Sequence, residues 1–398
     1  MNKFALHIFL SSIESETRLY KEAAYCLKNG IYNKVSVLGL WNEGLAVQET
    51  TDYGLEIWRL RTIIRRYRSS LLLRRFGLLR KFVAVLSFIQ YSLRCIIVTI
   101  KARPDHISCH NAVMLPIAFV SARLSGATLE YLPHELETQR TGLNGIYKRA
   151  IILIEWLFIH SARNVVVVCD PIREWYENAY NLKNVYVVRN VPEKDAIHIR
   201  ELPSEDFRKK FDISDNAKVF IYQGLFSAGR GIENLLECFK NLDPNKCHLV
   251  LMGYGESDYQ DIIDISSQQY PNIHFHPAVE REWIISYSAS ADVGIFISER
   301  ASLSYRYALP NKFFEWAHAG LPIIVSENLE YQAKLLREGN FGWSGTVDEL
   351  TETVDKISQI DLTEFTQNAR KYSVDAVWEK DAKVFAQVYS DQTNKGFP

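Results

Sequence analysis

The sequence predicts an α/β protein with two doubly wound, Rossmann-like domains facing a central cleft. The chain has 398 residues, which is too long for one ordinary core and suits two domains. Segments with strand and helix patterns alternate in two series, as right-handed crossovers between parallel strands require. The two series are separated by residues 193–216, a charged stretch that contains Pro203 and lacks strand character, so we interpret it as a linker.

The first series, residues 1–192, predicts an N-terminal domain. Its predicted strands are short runs rich in apolar and β-branched residues, at 5–11, 34–40, 55–60, 106–109, 128–132, 164–169 and 185–188. Helical patterns lie between them at 14–28, 113–124, 145–160 and 171–180. Because the two kinds of segment alternate, we expect a parallel sheet with helices on both faces.

The second series, residues 217–376, predicts a C-terminal domain of similar design. Strand patterns lie at 219–222, 248–252, 272–277, 292–297 and 323–325. A polar loop follows the strand at 292–297, and Pro310 then favours the first turn of a helix. Gly320 and Pro322 are expected to end that helix. Residues 377–398 are expected to carry a final helix with Trp378 and Phe385 on its apolar side.

Composition indicates a soluble globular protein in a reducing compartment. Hydrophobic residues make up 47% and charged residues 23% of the chain, without a low-complexity tract. The six cysteines are scattered and include no Cys-x-x-Cys pair, so no disulfide framework is expected. The first 30 residues lack a signal-peptide pattern, and no uninterrupted apolar run approaches the roughly 20 residues of a membrane span.

The net charge of −1 hides a strong asymmetry along the chain. Residues 59–103 contain twelve Lys or Arg and no Asp or Glu, and apolar residues alternate with the basic ones. Such a basic amphipathic region favours docking on an anionic membrane surface. Two alternatives remain open. One is an ordinary domain helix whose arginines face water, and the other is a nucleic-acid site, although no nucleic-acid reader motif accompanies the region.

The segment most indicative of chemistry is residues 310–322, Pro-Asn-Lys-Phe-Phe-Glu-Trp-Ala-His-Ala-Gly-Leu-Pro. It places the amide of Asn311, the ammonium of Lys312 and the carboxylate of Glu315 in the first turns of a predicted helix. In open parallel sheets, ligands bind at the carboxyl ends of the strands, where helix N-termini offer free N–H groups. Lys312 and Glu315 are three residues apart and share one helix face. The alternative is a surface ion pair that caps the helix.

A glycine-rich loop follows the first strand of the second series. Gly224, Gly229 and Gly231 let the backbone approach a ligand closely, and Arg230 supplies a planar fork that suits phosphate oxygens. At the start of a predicted helix, this combination favours binding of a diphosphate. The alternative is a turn that serves packing only.

Residues 310–322 resemble the nucleotide-sugar signature of retaining glycosyltransferases of family 4, in the form found in bacterial surface-polysaccharide synthesis. The resemblance implies the GT-B fold, in which the last helix crosses back to the first domain. It also implies that Glu315 binds the ribose of the donor and that the glycine-rich loop binds the donor diphosphate. The sequence departs from the family pattern at two positions. Tyr307 stands where a second glutamate is frequent, and Leu225 replaces the usual arginine, which leaves Arg230 as the main cation.

Two more segments are similar to the same family. Gly253 and Tyr254 belong to a Gly-Tyr-Gly turn after the strand at 248–252, and the corresponding turn in the family lies close to the nucleobase. His134, within Glu-Tyr-Leu-Pro-His-Glu, matches a histidine that reaches the transferred sugar, although Leu132 stands where the family commonly has Asp. The resemblance therefore implies that His134 contacts the transferred sugar, at the centre where Arg230 and Lys312 act. The alternative is a loop histidine whose hydrogen bonds are structural.

The combined prediction is a retaining glycosyltransferase of hexosyl or N-acetylhexosaminyl type that uses a nucleoside-diphosphate sugar. The implied acceptor is a lipid-linked saccharide of O-antigen, capsule or lipopolysaccharide synthesis, and the implied location is the cytoplasmic face of the membrane, with peripheral attachment. We expect no metal or other cofactor, because protein cations neutralise the diphosphate. We expect no nucleic-acid partner. The alternatives are a nucleotide-sugar epimerase on the same fold, for which no convincing acid/base set is found, and a non-catalytic membrane-surface adaptor.

Overall fold

The computed structural model describes residues 3–14, 16–62, 77–197, 206–299 and 302–390. The chain forms two compact units, one of Met1–Val188 with Ala382–Pro398 and the other of Arg189–Asp381. The chain therefore passes between the units twice. The sequence analysis placed the first passage in a linker at 193–216, whereas the described part of that segment belongs to the second unit and includes two short helices.

The first unit is built on a mixed sheet of eight strands. These strands are β1 (Phe4–Ile8), β2 (Lys34–Leu40), β3 (Gln48–Thr50), β4 (Leu55–Leu60), β5 (His106–Cys109), β6 (Thr128–Tyr131), β7 (Asn164–Val167) and β8 (Val185–Val187). Their order is β3-β4-β2-β1-β5-β6-β7-β8, and neighbours pair in parallel except β3 with β4. The edge strand β3 is exposed along its length, and the sequence pattern did not predict it. The other strands lie where expected, with small shifts at their ends.

Helices of the first unit cover this sheet. They are α1 (Thr17–Lys28), α2 (Gly77–Ala102), α3 (Leu115–Ser125), α4 (Gly145–Phe158) and α5 (Asp170–Tyr180). Helix α3 contacts both α2 and α4, so the three helices form one layer. Helices α3 and α5 begin and end close to the residues that the sequence predicts. Pro116 lies in the first turn of α3, and Gly126 and Asn181 end α3 and α5 in the left-handed conformation.

The second unit is built on a parallel sheet of six strands in the order β11-β10-β9-β12-β13-β14. The strands are β9 (Lys218–Phe226), β10 (Cys247–Gly255), β11 (Ile273–Pro277), β12 (Val293–Phe296), β13 (Ile323–Ser326) and β14 (Gly342–Gly345). Its helices are α6 (Lys194–Ile197), α7 (Phe207–Phe211), α8 (Ile232–Lys240), α9 (Ser257–Gln269), α10 (Ile284–Ser288), α11 (Leu303–Tyr307), α12 (Asn311–Ala319), α13 (Glu330–Gly339), α14 (Leu350–Ser358), α15 (Thr363–Ser373) and α16 (Trp378–Asp381). The central strands are buried on both faces, which explains their nearly continuous apolar sequence.

The predicted final helix is interrupted. In place of one helix at 377–389 the structure has α16 and α17 (Lys383–Ser390), separated at Ala382. Helix α17 completes the first unit, because the hydroxyl of Tyr389 donates to Oε1 of Glu22 at 2.7 Å and Nδ2 of Asn164 donates to the carbonyl of Val388 at 3.2 Å.

The basic region 59–103 divides into parts with different roles. Arg59 lies on β4 and is 3% exposed, and its guanidinium donates to three backbone carbonyl oxygens and pairs with Glu49 at 2.7 Å. Arg59 therefore stabilises the first unit from inside, and its inclusion in a basic surface region was wrong. Residues 63–76, which carry much of the predicted basic charge, lie outside the described residues.

Helix α2 has one face in the core and one face in solvent. Tyr91, Cys95 and Thr99 are fully buried, and the hydroxyl of Tyr91 donates to the carbonyl oxygens of Phe9 at 2.5 Å and Leu38 at 3.2 Å. Its segment Lys81–Ala102 is nevertheless long and apolar enough to cross a membrane by length and composition, in contrast to the expectation from the sequence. The buried face instead ties the helix to the sheet of the first unit.

Candidate active site

Helix α12 carries three of the predicted site residues. Pro310 is its N-cap residue and Gly320, with φ of 80°, ends it in the left-handed conformation, as predicted. Phe313 and Trp316 are buried and hold the helix against the sheet. This close packing depends on Gly294 of β12, because a Cβ atom there would lie 2.5 Å from the Trp316 ring. The N-terminus of α12 is thereby fixed after the carboxyl end of β12.

Aromatic rings surround the side-chain nitrogen of Lys312. The residue is 8% exposed, and its Nζ lies 3.7 Å from the ring centre of Phe296 and 4.3 Å from that of Tyr222. Nζ has no hydrogen-bond partner among the described residues. Burial, reinforced by the positive charge of Arg230, lowers the pKa of Lys312 well below its usual value, while Glu315 acts in the opposite direction. An anion bound beside Nζ would therefore stabilise its ammonium form.

Glu315 is positioned by hydrogen bonds that connect three elements. Nε2 of Gln223, on β9, donates to Oε2 of Glu315 at 2.5 Å. Oε1 of the same glutamine accepts from Oγ of Ser288, on α10, at 2.7 Å. Gln223 and Ser288 are buried, whereas Glu315 is partly exposed. The carboxylate is thus held in place while it stays accessible to the hydroxyl groups of a ligand. The sequence reasoning missed both supporting residues.

The loop between β9 and α8 uses backbone conformations that favour glycine. β9 continues beyond its predicted end, so Gly224, with φ of 122°, lies within the strand. Gly229 and Gly231 have φ of 73° and 70°. A Cβ atom on Gly231 would lie 2.4 Å from the carbonyl oxygen of Ile297, so glycine allows α8 to begin against the end of β12. Arg230 lies between these glycines, and its Nε is buried without a hydrogen-bond partner among the described residues.

Gly253 and Tyr254 lie in the last part of β10, beside the same loop. Gly253 pairs with Gly224, and a Cβ atom on Gly253 would lie 1.9 Å from the carbonyl oxygen of Gly224. Glycine at position 253 is therefore required by strand packing, whether or not a ligand approaches it. Tyr254 is 64% exposed, so its ring is accessible for stacking on a planar ligand.

These residues share one edge of the second sheet. Strands β9, β10 and β12 are parallel neighbours, so their carboxyl ends meet at this edge. The charges of Arg230 and Glu315 both act on Lys312. The other predicted residues that follow or end these strands are Gly224, Gly229, Gly231, Gly253, Tyr254 and Asn311. Two cations, one carboxylate and the N-termini of α8 and α12 can bind an anionic group that carries hydroxyls beside it.

His134, the remaining predicted residue, lies in the first unit after β6. Its Nε2 lies 3.0 Å from Nδ1 of His110, and Nε2 of His110 lies 2.9 Å from Nδ1 of His7. Burial lowers the pKa of His7 and of His134 to about 3, and the charge of Arg18 adds to the effect at His134. The sequence reasoning missed His7 and His110. Both lie on or directly after strands next to β6, so a prediction of the strand order could have identified them.

Metal ligands do not cluster in the part of the chain that the structure describes, where no group of three or more His, Cys, Asp or Glu is suited to hold a metal ion. Nε2 of His274 lies 3.0 Å from Nδ1 of His248, and Nδ1 of His276 donates to the carbonyl oxygen of Pro277 at 2.7 Å. These contacts give both histidines of β11 a structural role. The six cysteines are buried free thiols.

Part of the second unit is similar in sequence to a family of glycosyltransferases. Residues 217–360 match the family model described as "Glycosyl transferases group 1". This segment contains all the candidate site residues of the second unit, from β9 to α12. No curated protein matches the chain in sequence.

Solved structures of glycosyltransferases share the two-domain α/β fold of GT-B type. A glycosyltransferase from Rickettsia africae matches with a TM-score of 0.71 at 11% identity, over 99% of this chain and 100% of that chain. Anabaena HepE, crystallised with UDP-glucose, matches with a TM-score of 0.69 at 13% identity, over 97% and 99%. WaaG, a glycosyltransferase involved in lipopolysaccharide biosynthesis, matches with a TM-score of 0.62 at 13% identity, over 97% and 100%. At such low identity, these similarities establish the fold.

Proposed function

We propose that this protein is a glycosyltransferase that transfers a sugar, with retention of configuration, from a nucleoside-diphosphate sugar to a hydroxyl of a lipid-linked saccharide. The single observation that carries the proposal is the pairing of Arg230 and Lys312, two cations whose buried nitrogens lack partners among the described residues. Such groups are costly unless an anion joins them, and a diphosphate suits both. The bound UDP-glucose of HepE, a protein of the same fold, supports a nucleotide-sugar donor.

The same residues supply the chemistry of transfer. As the bond between sugar and diphosphate breaks, negative charge grows on the departing phosphate oxygens, and the guanidinium of Arg230 and the N-terminus of α8 stabilise it. Lys312 adds a second positive charge when it is protonated. Glu315, held by Gln223, accepts hydrogen bonds from the ribose and so keeps the anomeric carbon in position. Protein cations therefore do the work that a metal ion performs in other phosphate sites.

Donor binding is expected to change the protonation of Lys312. Its pKa is lowered in the unbound protein, and a diphosphate beside Nζ raises it again. Between these two pKa values, binding of the nucleoside diphosphate therefore takes up protons. Calorimetric titrations in buffers of different ionisation enthalpy measure that uptake. Lys312→Met, which keeps the packing against Phe296 and Tyr222, should abolish it. Equal proton uptake by the wild type and this variant would exclude Lys312 from the anion site.

The acceptor belongs to a membrane lipid, and the first unit offers a surface for reaching it. We call this the apolar helix surface, formed by exposed side chains of the adjacent helices α2, α3 and α4. They are Phe82, Val85, Leu86, Ile89, Leu93, Ile97 and Ile100 of α2, Val120 and Leu124 of α3, and Ile146, Tyr147, Ile152, Leu153, Trp156 and Leu157 of α4. Basic residues on the same helices, such as Lys81, Lys101 and Arg149, are exposed as well. Apolar faces bordered by Lys, Arg, Trp and Tyr are typical of helices that lie in the membrane interface.

Removal of apolar contacts is expected to weaken vesicle binding. The triple variant Leu93→Gln, Ile97→Gln, Ile100→Gln should lose about 1–3 kcal/mol of attraction to anionic vesicles, because each side chain is already partly buried in the protein and inserts only shallowly. Vesicle flotation measures the loss. Rising salt should remove only the electrostatic part, since screening leaves burial of apolar surface unaffected.

A matched control comes from the second unit. Ile262, Ile265 and Ile360 have similar exposures of 41%, 54% and 39%, and their replacement by Gln should leave vesicle binding unchanged. Equal flotation of the wild type and of the α2 triple variant would contradict membrane docking. A dimer in solution that the α2 triple variant dissociates would instead identify the apolar helix surface as an interface between two copies.

The proposed activity is tested by incubating the protein with nucleoside-diphosphate sugars and membrane lipid extract. Mass spectrometry should detect a lipid product that is heavier by one sugar, and free nucleoside diphosphate only when acceptor is present. Conversion of the nucleotide sugar without acceptor would favour the epimerase. If the protein binds none of the nucleotide sugars, the result would favour the non-catalytic adaptor.

A further inference from the structure

Three histidines of the first unit form a continuous chain of hydrogen bonds. His7 lies on β1, His110 follows β5 and His134 follows β6, and these three strands are neighbours in the sheet. The bonded atoms are Nδ1 of His7 with Nε2 of His110, at 2.9 Å, and Nδ1 of His110 with Nε2 of His134, at 3.0 Å. The ring of Phe9 stacks on that of His110, with centroids 4.5 Å apart, and the hydrogen-bonded rings of His7 and His110 have centroids 5.2 Å apart. The nitrogens bond pairwise to one another and do not converge on one point, as metal ligands would.

We propose that His7 and His110 are positioning residues that couple the neutral tautomer of His134 to their own and leave its Nδ1 as the ring nitrogen for a sugar hydroxyl. The inference rests on the proposed function for the identity of that ligand. It goes further in assigning roles to two buried histidines that do not themselves need to touch a substrate, since both act through the ring of His134.

The pattern of bonded atoms couples the three rings. A neutral imidazole carries one N–H, so each bond between two rings needs one donor and one acceptor nitrogen. If Nδ1 of His7 carries the proton, Nε2 of His110 accepts, its Nδ1 donates, and His134 must carry its proton on Nδ1. If the proton of His134 is on Nε2, the same logic places every proton on Nε2. The chain therefore allows two states, in which all three rings share one tautomer.

Burial keeps these rings neutral, as the coupling requires. His7 and His110 are 2% and 1% exposed, and burial is the main cause that lowers the pKa of each of the three histidines. The charge of Arg18 further disfavours protonation of His110 and His134. A second proton on any ring would break the alternation of donors and acceptors, so neutrality and a shared tautomer belong together.

Nitrogen NMR of the full chain labelled in its histidines tests the proposal directly. Two-bond correlations between ring protons and ring nitrogens distinguish the tautomers. In the wild type, His7, His110 and His134 should show the same neutral tautomer. His7→Phe keeps an aromatic ring beside His110 but removes the nitrogen, so the signals of His134 should shift away from the wild-type tautomer. His7→Asn, whose amide can take the place of Nδ1, should restore the wild-type signals of His134.

Catalysis provides the second readout. His7→Phe should lower kcat by roughly tenfold to a hundredfold, the effect of a misplaced contact group, and leave the KM for the donor unchanged. His106→Phe is the matched control, because His106 is a buried histidine of the same sheet that contacts Tyr32 and Tyr389 instead of this chain. It should change neither the His134 signals nor kcat.

The outcomes separate this inference from the proposed function. Different tautomers among the three wild-type rings, or His134 signals that His7→Phe leaves unchanged, would overturn it. Should His7→Phe fail to fold, His110→Phe serves as the second variant under the same criteria. Coupled tautomers in a protein without transferase activity would support the positioning roles and contradict only the proposed reaction.

Discussion

Replacement of Arg230 by alanine is expected to lower turnover by roughly two to three orders of magnitude, the usual effect of losing one group that stabilises charge in the transition state. The guanidinium lies between two glycines at the start of α8, and its Nε is buried without a hydrogen-bond partner among the described residues. Steady-state rates at saturating donor measure the loss. Donor affinity should fall less than turnover, because charge on the leaving diphosphate is largest in the transition state.

Two further variants show whether turnover depends on the planar geometry of the Arg230 guanidinium. Arg230→Lys keeps the charge but loses the planar fork, so it should recover only part of the activity. Arg337→Ala, an exposed arginine of α13, should keep the wild-type rate. Wild-type turnover by Arg230→Ala would mean that another group holds the diphosphate.

Replacement of Glu315 by alanine is expected to weaken donor binding by about 1.5–3 kcal/mol, the scale of a hydrogen bond to a charged group. The loss has two physical sources. The ribose loses its acceptor, and Nε2 of Gln223 loses the carboxylate that it contacts at 2.5 Å. Calorimetry with the nucleoside diphosphate measures the change, and circular dichroism confirms that the fold is intact.

The neighbouring serine separates these two sources. Ser288→Ala removes the hydrogen bond that positions Gln223 but leaves the carboxylate of Glu315 in place, so it should weaken donor binding by a smaller amount. Unchanged donor affinity in a folded Glu315→Ala protein would remove Glu315 from the donor site. A loss in Ser288→Ala as large as that in Glu315→Ala would mean that Gln223 is the main contact.

Local signals explain why most strands and the helix α12 were predictable. Pro310 and Gly320 mark the ends of α12, and the apolar run of β12 marks a strand buried on both faces. The predicted ends of strands were less accurate. Strand β9, for example, continues into the glycine-rich loop because it pairs with β10 there. Pairing partners lie far apart in the sequence, so a local pattern cannot reveal where pairing stops.

The residues missed by sequence reasoning all act through long-range contacts. Gln223 reaches Glu315 across 92 positions, and His7 reaches His110 across 103 positions. Arg59 was assigned to a basic surface because its neighbours in sequence are basic, yet three carbonyl oxygens and Glu49 bind it inside the first unit. A charge pattern along the chain shows composition, whereas burial depends on tertiary partners.

The composition of the first unit has a consequence for the order of folding during synthesis. Its sheet is complete once Val187 has left the ribosome, but Tyr389, whose ring lies 5.1 Å from that of Tyr32 and whose hydroxyl binds Glu22, is made much later. At about 5–20 residues per second, the intervening unit Arg189–Asp381 takes roughly 10–40 s to translate. During that interval the nascent chain exposes the side chains of Glu22 and Tyr32 that Tyr389 later contacts. A fragment that ends at Val188 would remain in this unfinished condition permanently.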